Sequence, residues 1–160
     1  MKKVILIRHA KSSWDFPLDD FQRPLLPIGV ARAKKVAHHF KKQLNLDSLF
    51  ISSPALRALK TAEIFLSIWD VPYRNCNLIS NLYTFSVAQL EEIVKSCPNN
   101  QNSVILFGHN SAITDFVNKF GDSKILNVPT AGLVEIVFDS IEWKSIKKGK
   151  ISTIIFPKDL

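Results

Sequence analysis

VILIRHAKSSW, the segment from Val4 to Trp14, contains the clearest structural signal in the chain. Its four apolar residues, Val4 to Ile7, form a short continuous run that is typical of a strand buried on both faces. Arg8 and His9 follow this run directly. Because open α/β sheets bind ligands beyond the carboxyl ends of their strands, these two residues are candidates for a functional site.

The rest of the chain alternates between patterns that predict helices and patterns that predict strands. Apolar residues recur at helical spacing between Val30 and Leu44. A second helix is expected from Ser53, a good N-cap, with Pro54 at the first helical position. Further helices are predicted over 86–97, capped by Ser86, and over 111–120. Strands are predicted over 48–52, 75–79, 103–107, 132–139 and 150–156, and the last of these is expected at a sheet edge.

Strands that alternate with helices favour a mostly parallel sheet covered by helices on both faces. We therefore predict an α/β fold, specifically a three-layer α/β/α sandwich around a mostly parallel central sheet. A chain of 160 residues fits a single domain, residues 1–160, and is long enough to bury a core without disulfides or metals.

Composition narrows the possible classes of function. The formal net charge is +7, which suits either a solvated basic surface or anionic partners. Only Lys147, Lys148 and Lys150 bunch together, without aromatic residues between them, so no nucleic-acid partner is expected. No apolar run is long enough for a membrane span or a secretory leader. The isolated thiols of Cys76 and Cys97 indicate a reduced, cytoplasmic protein.

Three predicted loops bring basic and imidazole side chains to one edge of the sheet. Arg8 and His9 leave the first strand there, and His109 leaves a later strand at the same edge. Arg57 lies in the first turn of the helix that follows the second strand. Two imidazoles flanked by two guanidiniums suit a dianion such as phosphate, because arginine matches phosphate oxygens with two donors in one plane.

These residues lie in segments that resemble the histidine phosphatase superfamily, which has the phosphoglycerate-mutase-like fold. LIRHAKSSW resembles its N-terminal signature, and SSPALRALKTAE resembles its second signature, with Arg57 in the arginine position. VILFGHN resembles the segment with the second histidine, here His109. RPLLPIG and PTAGLVEIVF also fit, so the resemblance covers nearly the whole chain. The short chain is most similar to the SixA-like phosphohistidine phosphatase branch.

The resemblance implies a reaction and a set of residue roles. His9 would attack phosphorus as a neutral imidazole and form a phosphohistidine intermediate, which water then hydrolyses. Arg8, Arg57 and His109 would hold the equatorial oxygens and stabilise the transition state, with no metal or other cofactor required. The candidate substrate-binding residues in or beside these motifs are Ser12, Asp15, Arg23 and Asn110.

Two positions depart from the family pattern. Many members carry a glutamate general acid after the third strand, but this region reads ISNLYTFS, with no carboxylate between Asn77 and Gln89. Ala10 replaces the familiar glycine after the Arg-His pair, which is a conservative change. The proton donor is therefore unassigned. Asp15 or a water could serve, although Asp15 could equally be a loop residue that caps its own backbone.

Taken together, the sequence predicts a metal-independent phosphatase for protein-bound phosphohistidine. An imidazole leaving group that is already protonated needs little help, and the chain between Arg57 and His109 leaves little to build a lid. The alternatives are a phosphatase for a small phosphomonoester and a phosphate-binding module without turnover. A mutase is disfavoured, because it must shield its phosphoryl group from water. The adjacent His38 and His39 cannot both face one site, so they are expected to be solvated helix residues rather than metal ligands.

Overall fold

The computed structural model describes residues 1–15 and 19–160. Within these residues the strands are β1 (Lys2–Arg8), β2 (Leu49–Ser52), β3 (Cys76–Leu78), β4 (Ser103–Gly108), β5 (Leu133–Phe138) and β6 (Lys150–Ile155). The α-helices of the same residues are α1 (Pro27–Phe40), α2 (Leu56–Ile68), α3 (Val87–Lys95) and α4 (Ala112–Phe120). The strands form one sheet in the order β3-β2-β4-β1-β5-β6.

The central part of the sheet is parallel, as predicted. β4 pairs in parallel with both β1 and β2, and β2 pairs in parallel with β3. β5 runs antiparallel to β1 and to β6, which forms one edge of the sheet, as predicted. The carboxyl ends of β1, β2 and β4 and the amino end of β5 therefore meet at one side of the sheet, which we call the carboxyl edge.

Helices cover both faces of the sheet, which confirms the three-layer α/β/α sandwich. α1 and α2 pack together on one face, over strand residues that include Ile5, Ile7 and Phe107. α3 and α4 pack together on the other face, over the intervening residues such as Leu6 and Leu106. Because successive strand residues point to opposite faces, the continuous apolar run of β1 fills both cores. In the described part of the chain, no helix is both long enough and apolar enough to cross a membrane.

The start of α2 differs from the sequence prediction. The helix begins at Leu56 and its N-cap is Ala55, so Ser53 and Pro54 form the turn that precedes it. The Ser53 hydroxyl contacts His109 at the carboxyl edge instead of capping the helix. Ser86 does occupy the N-cap position of α3, but its side chain makes no capping hydrogen bond.

α1 approaches the segment that follows β1 unusually closely. The helix starts at Pro27, which has no N–H to satisfy at this position, and ends at Phe40 in a short 3-10 turn. A Cβ added to Gly29 would lie 2.3 Å from the carbonyl oxygen of Lys11. Only glycine allows this contact, which presses the first turn of α1 against the backbone beyond His9.

Candidate active site

The carboxyl edge brings together the four residues that the sequence analysis grouped. His9 follows the last residue of β1, and His109 follows the last residue of β4. The two strands pair in register up to Arg8 and Gly108, so their exits lie side by side. The centroids of the two imidazole rings are 5.3 Å apart. Arg57 joins them from the first turn of α2.

His9 is buried, and its tautomer is fixed by the backbone. Its Nδ1 lies 2.8 Å from the carbonyl oxygen of Ala10, which can only accept, so Nδ1 carries the proton. The other ring nitrogen, Nε2, therefore presents its lone pair. The backbone N–H of Ala10 donates to Oγ1 of Thr61 at 2.9 Å, which ties the exit of β1 to α2. This arrangement prepares Nε2 to act as a nucleophile.

His109 is positioned by Ser53. Its Nε2 lies 2.8 Å from the Ser53 hydroxyl oxygen. That oxygen also accepts a hydrogen bond from the N–H of Ala55 at 3.2 Å. Nδ1 of His109 is buried without a partner among the described residues. In the tautomer that carries its proton on Nδ1, this N–H can donate to an oxygen of a bound anion.

Arg8 is held by the loop that leads into β5. Its Nη1 donates to the carbonyl oxygen of Val128 at 3.0 Å. The N–H of Ala131 lies 3.1 Å from the carbonyl oxygens of both Arg8 and His9. Ala131 has a φ of 62°, a left-handed conformation that costs a residue with a Cβ roughly 1–2 kcal/mol. A strained residue therefore supports the exit of β1 directly.

Arg57 binds an acidic residue that the sequence analysis did not consider. The side chain of Arg57 is almost completely buried. Its Nη1 donates to the backbone carbonyl of Asp20 at 2.6 Å, and its Nη2 donates to the Asp20 carboxylate at 2.9 Å. The Tyr83 hydroxyl donates to the same carboxylate oxygen at 2.5 Å. Arg57 is thus oriented by Asp20, while its buried Nε has no partner in the described chain.

Arg23 adds a third guanidinium to the site. Its central carbon lies 3.4 Å from the centroid of the Trp14 ring, a stacked arrangement that fixes the plane of the group. Its Nε lies 3.3 Å from a carboxylate oxygen of Asp20. Nη1 of Arg23 is buried and lacks a hydrogen-bond partner among residues 1–15 and 19–160. The sequence-predicted Arg23 therefore lies beside Arg57.

Both histidines are electrically neutral. Burial lowers the pKa of His9 from 6.5 to about 3; the hydrogen bond to Ala10 opposes this shift, and the three neighbouring arginines reinforce it. Burial and the charge of Arg57 lower the pKa of His109 to about 3. The site therefore combines neutral imidazoles with three guanidiniums and the carboxylate of Asp20. Its excess positive charge suits an oxyanion.

Asp20 is ionised at neutral pH. Burial raises the pKa of its carboxyl group, but hydrogen bonds from Tyr83 and Arg57 outweigh burial and hold the pKa below its ordinary value. Burial and the bond to Asp20 raise the pKa of the Tyr83 hydroxyl. Neither group is a strong proton donor in this state.

A hollow of about 320 Å³ opens at His9, and we call it the crevice. It is lined by Arg8, His9, Lys11, Ser12, Trp14, Arg23, Arg32 and Thr130. A second hollow of about 370 Å³ lies against α3, but its lining is mainly apolar and includes no basic side chain of the described chain. The basic and imidazole side chains of its lining therefore make the crevice the candidate functional site. The chain between Arg57 and His109 forms only α2, β3, α3, β4 and short turns, so it contributes no inserted domain above the crevice.

The remaining predicted substrate-binding residues are placed differently. Ser12 is buried and lines the crevice. Asp15 is exposed and outside the crevice lining, and its N–H is bonded to the Ser13 hydroxyl at 3.0 Å. The amide of Asn110 donates to Asn127 and to the carbonyl of Val128, while its oxygen accepts two hydrogen bonds from Thr114. Asn110 therefore supports the loop that holds Arg8.

Sequence reasoning missed three residues that contact the predicted ones: Asp20, Ser53 and Tyr83. Asp20 had a local signal, because it precedes Arg23 by one short turn and the two side chains pair. Ser53 was interpreted as a helix cap, which hid its contact with His109. Tyr83 lies in the segment that was searched only for a carboxylate.

The cysteines lie outside the crevice. Both are free thiols, and burial raises the pKa of Cys76 and of Cys97 to about 11. Within residues 1–15 and 19–160, no three His, Cys, Asp or Glu side chains are grouped in a way that could hold a metal ion. His38 and His39 are exposed on α1, as expected, although both border one surface hollow.

A comparison with known protein families gives a match to the amino-terminal part of the chain. The model of the histidine phosphatase superfamily (branch 1) matches residues 4–78, which include Arg8, His9 and Arg57. An uncharacterised protein of Arabidopsis thaliana, described as chloroplastic, is 29% identical over 151 residues, covering 88% of this chain and 69% of that protein.

Solved structures share the fold over the whole chain. The protein histidine phosphatase SixA complexed with tungstate superposes with a TM-score of 0.82 at 20% identity, covering 98% of each chain. A phosphoserine phosphatase from Entamoeba histolytica, in complex with 3-phosphoglyceric acid, superposes with a TM-score of 0.65 at 18% identity, covering 96% of each chain. At these identities the likeness establishes the fold, which is the phosphoglycerate-mutase-like fold predicted from the sequence.

Proposed function

We propose that the chain is a member of the histidine phosphatase superfamily, whose model matches residues 4–78, and that it is a phosphatase that acts through a phosphohistidine intermediate on His9. The observation that carries the proposal is the geometry of His9. Its Nδ1 is bound to the Ala10 carbonyl, its Nε2 has a free lone pair, and three guanidiniums lie around it. A neutral nucleophile beside fixed positive charge is what attack on a phosphate dianion requires.

The proposed reaction has two displacements at phosphorus. In the first, the Nε2 lone pair of His9 forms a bond to phosphorus, and the leaving group departs with the electron pair of its own bond to phosphorus. In the second, a water oxygen attacks phosphorus, and the electrons of the N–P bond return to His9. The Nδ1–H···O bond to Ala10 stabilises the positive charge that the imidazole acquires in the first step.

The arginines and His109 supply the electrostatic stabilisation. Nε of Arg8 and Nε of Arg57 are buried donors without partners in the described chain. Nδ1 of His109 is also buried without a partner there, and it donates in the tautomer that carries its proton on this nitrogen. Donors that are fixed before the reaction need no reorganisation when charge develops on the phosphoryl oxygens. This proposal requires neither a metal nor another cofactor.

The ionised state of Asp20 favours a leaving group that needs no proton from the enzyme. A departing alkoxide needs a proton, but the carboxylate in contact with Arg57 is ionised and is bound by Tyr83. A phosphohistidine that is protonated on its other ring nitrogen can leave as a neutral imidazole. We therefore propose a phosphorylated protein, with phosphohistidine as the phosphorylated residue, as the substrate. Structural neighbours include enzymes named for protein phosphohistidine and for phosphoserine, so the fold alone does not decide the substrate.

Trapping the intermediate tests the role of His9. During turnover of a labelled substrate, a quench that avoids acid should recover an acid-labile phosphoenzyme from the wild-type protein. His9→Ala should give no labelled protein, whereas Lys144→Ala, a change at an exposed residue away from the crevice, should give wild-type labelling. Equal labelling of His9→Ala would contradict the assignment of the nucleophile.

A side-by-side measurement of kcat/KM tests the substrate. The proposal predicts a higher kcat/KM for a phosphohistidine protein than for phosphoserine, phosphoglycerate or a sugar phosphate. A wide margin in favour of one of the small phosphomonoesters would assign the enzyme to that substrate class instead.

A further inference from the structure

The crevice continues into a basic groove along α1. Beside the crevice lies a hollow lined by Arg32, Lys35, Pro129, Thr130, Pro157 and Lys158. Beyond it lies a third hollow, lined by Lys35, His38, His39, Lys42, Gln43 and Leu160. The first two hollows share Arg32 and Thr130, and the last two share Lys35. The three hollows therefore adjoin one another in this order, and we call the two beyond the crevice the α1 groove.

Helical geometry explains why the groove is basic along its whole length. Arg32, Lys35 and His39 are spaced by three and four residues, so they form one stripe on the surface of α1, and Lys42 follows in the short 3-10 turn that extends the helix. At about 1.5 Å per residue, the stripe and Lys42 together extend about 15 Å from the crevice. That length matches about five residues of an extended peptide.

The positive charge of the groove is not neutralised by neighbouring side chains. Some exposed lysines elsewhere are paired, as in the contacts of Lys41 with Asp70 and of Lys60 with Glu63. Lys35 and Lys42 have no ion-pair partner within residues 1–15 and 19–160, and no acidic side chain of these residues lines the groove. The groove therefore presents basic side chains directly beside the crevice.

We infer that the α1 groove docks an acidic segment of the phosphorylated protein, adjacent to the residue whose phosphoryl group enters the crevice. The inference rests on the proposed function, and it adds a specificity determinant outside the reacting groups. Charge complementarity selects an acidic partner. A single-stranded nucleic acid would call for stacking aromatic rings, and in the described chain neither hollow of the groove is lined by Phe, Tyr or Trp.

Two phosphohistidine peptides provide the test. One carries a run of Asp and Glu within five residues of the phosphohistidine, and the other carries Asn and Gln at the same positions. The groove variant is Lys35→Glu with Lys42→Glu. The control variant, Lys144→Glu with Lys147→Glu, makes the same change of charge at exposed positions near the amino end of β6, away from the carboxyl edge. A small aryl phosphate reports on the crevice alone.

We expect the groove variant to lower kcat/KM for the acidic peptide by about tenfold or more, chiefly through KM. Its kcat/KM for the neutral peptide and for the aryl phosphate should stay within about twofold of wild type, and so should every rate of the control variant. The preference of the wild type for the acidic peptide should also weaken as salt is added. Equal effects of the two variants, or an equal loss on the aryl phosphate, would overturn the inference.

A binding measurement separates failure of the groove from failure of the proposed function. If the wild type hydrolyses the aryl phosphate but neither peptide, the phosphohistidine assignment fails. The affinities of the two peptides for the His9→Ala variant then show, without any turnover, whether the α1 groove binds acidic segments. Tighter binding of the acidic peptide that is lost with Lys35→Glu and Lys42→Glu supports the groove, and equal binding of both peptides overturns it.

Discussion

At the scale of single residues, each side chain that we propose to react is held by a partner to which we assign no reactive role. Ser53 orients the ring of His109, and the Ala10 carbonyl fixes the tautomer of His9. Asp20 accepts hydrogen bonds from both Nη1 and Nη2 of Arg57. These contacts cost the chain conformational freedom on folding but leave the reacting atoms in one geometry before substrate arrives.

Arg57→Lys separates charge from geometry. Lysine keeps the positive charge but loses the planar fork, and it cannot bind Asp20 and an oxyanion at once. We expect kcat/KM to fall by about 10²–10³-fold. Because Arg57 is only 1% exposed, we also expect a lower melting temperature, measured by circular dichroism. Arg74→Lys, at an exposed turn, is the control and should change neither quantity. Near wild-type kcat/KM in Arg57→Lys would make Arg57 a structural residue.

The sequence identified His9, Arg8, Arg57 and His109 because each occurs at the end of a strand or the start of a helix. The contacts of Asp20 could not be derived in the same way. Its partner Arg57 is 37 residues away, so the pair depends on how the loop before α1 folds over α2. Local patterns predict which residues reach an edge of the sheet, but not which side chains pair across it.

At the scale of secondary-structure elements, hydrogen bonds of Thr61 connect α2 to the exit of β1. Oγ1 of Thr61 accepts the Ala10 N–H at 2.9 Å and donates its own proton to the Arg57 carbonyl at 2.7 Å. One buried hydroxyl thus connects the helix that carries Arg57 to the strand exit that carries His9. The sequence predicted both elements correctly. It placed the start of α2 too early, because a Ser-Pro pair is a good cap signal and its competing contact with His109 is not local.

Thr61→Val tests this connection. Valine keeps the shape of threonine but leaves the Ala10 N–H buried without a partner, which costs about 1–3 kcal/mol. We expect urea unfolding to show that loss, together with a lower kcat and little change in KM. The matched change Thr153→Val lies on the edge strand β6 and should alter stability by less than about 0.5 kcal/mol. If both variants lost the same stability, the hydrogen bonds of Thr61 would stabilise the protein no more than those of a surface threonine.

At the scale of the whole molecule, the fold concentrates its reactive groups at one side and buries two neutral imidazoles there. The alternation of patterns predicted the layers and the mostly parallel sheet. The antiparallel position of β5 beside β1 was not readable from those patterns, because it depends on pairing between strands more than 120 residues apart. That pairing brings the loop with Val128 and Ala131 to the site.

The buried histidines make stability depend on pH. In the folded protein the pKa of His9 and that of His109 are each lowered from 6.5 to about 3. Between these values the unfolded chain binds more protons, so the free energy of unfolding falls as pH decreases from about 6.5 towards 3 and is unaffected by these groups above that window. Each histidine contributes a slope of up to about 1.4 kcal/mol per pH unit.

Urea titrations between pH 7 and pH 4 check this dependence. His9→Asn should reduce the slope of the free energy of unfolding against pH by up to about 1.4 kcal/mol per pH unit, the contribution of one histidine. Asn100→Gln, a change at an exposed residue that does not ionise, is the control and should leave the slope unchanged. An unaltered slope in His9→Asn would show that His9 titrates normally in the folded state.

The stacked pair of Trp14 and Arg23 has a spectroscopic consequence. Of the three indoles in the chain, Trp69 and Trp143 are at most 2% exposed, whereas Trp14 is 76% exposed and lies 3.4 Å from a guanidinium at the rim of the crevice. Soluble quenchers such as iodide should therefore extinguish the long-wavelength emission of Trp14 selectively. An oxyanion that draws Arg23 off the ring should change that emission, so the protein carries an intrinsic fluorophore that reports occupancy without a label or a turnover assay.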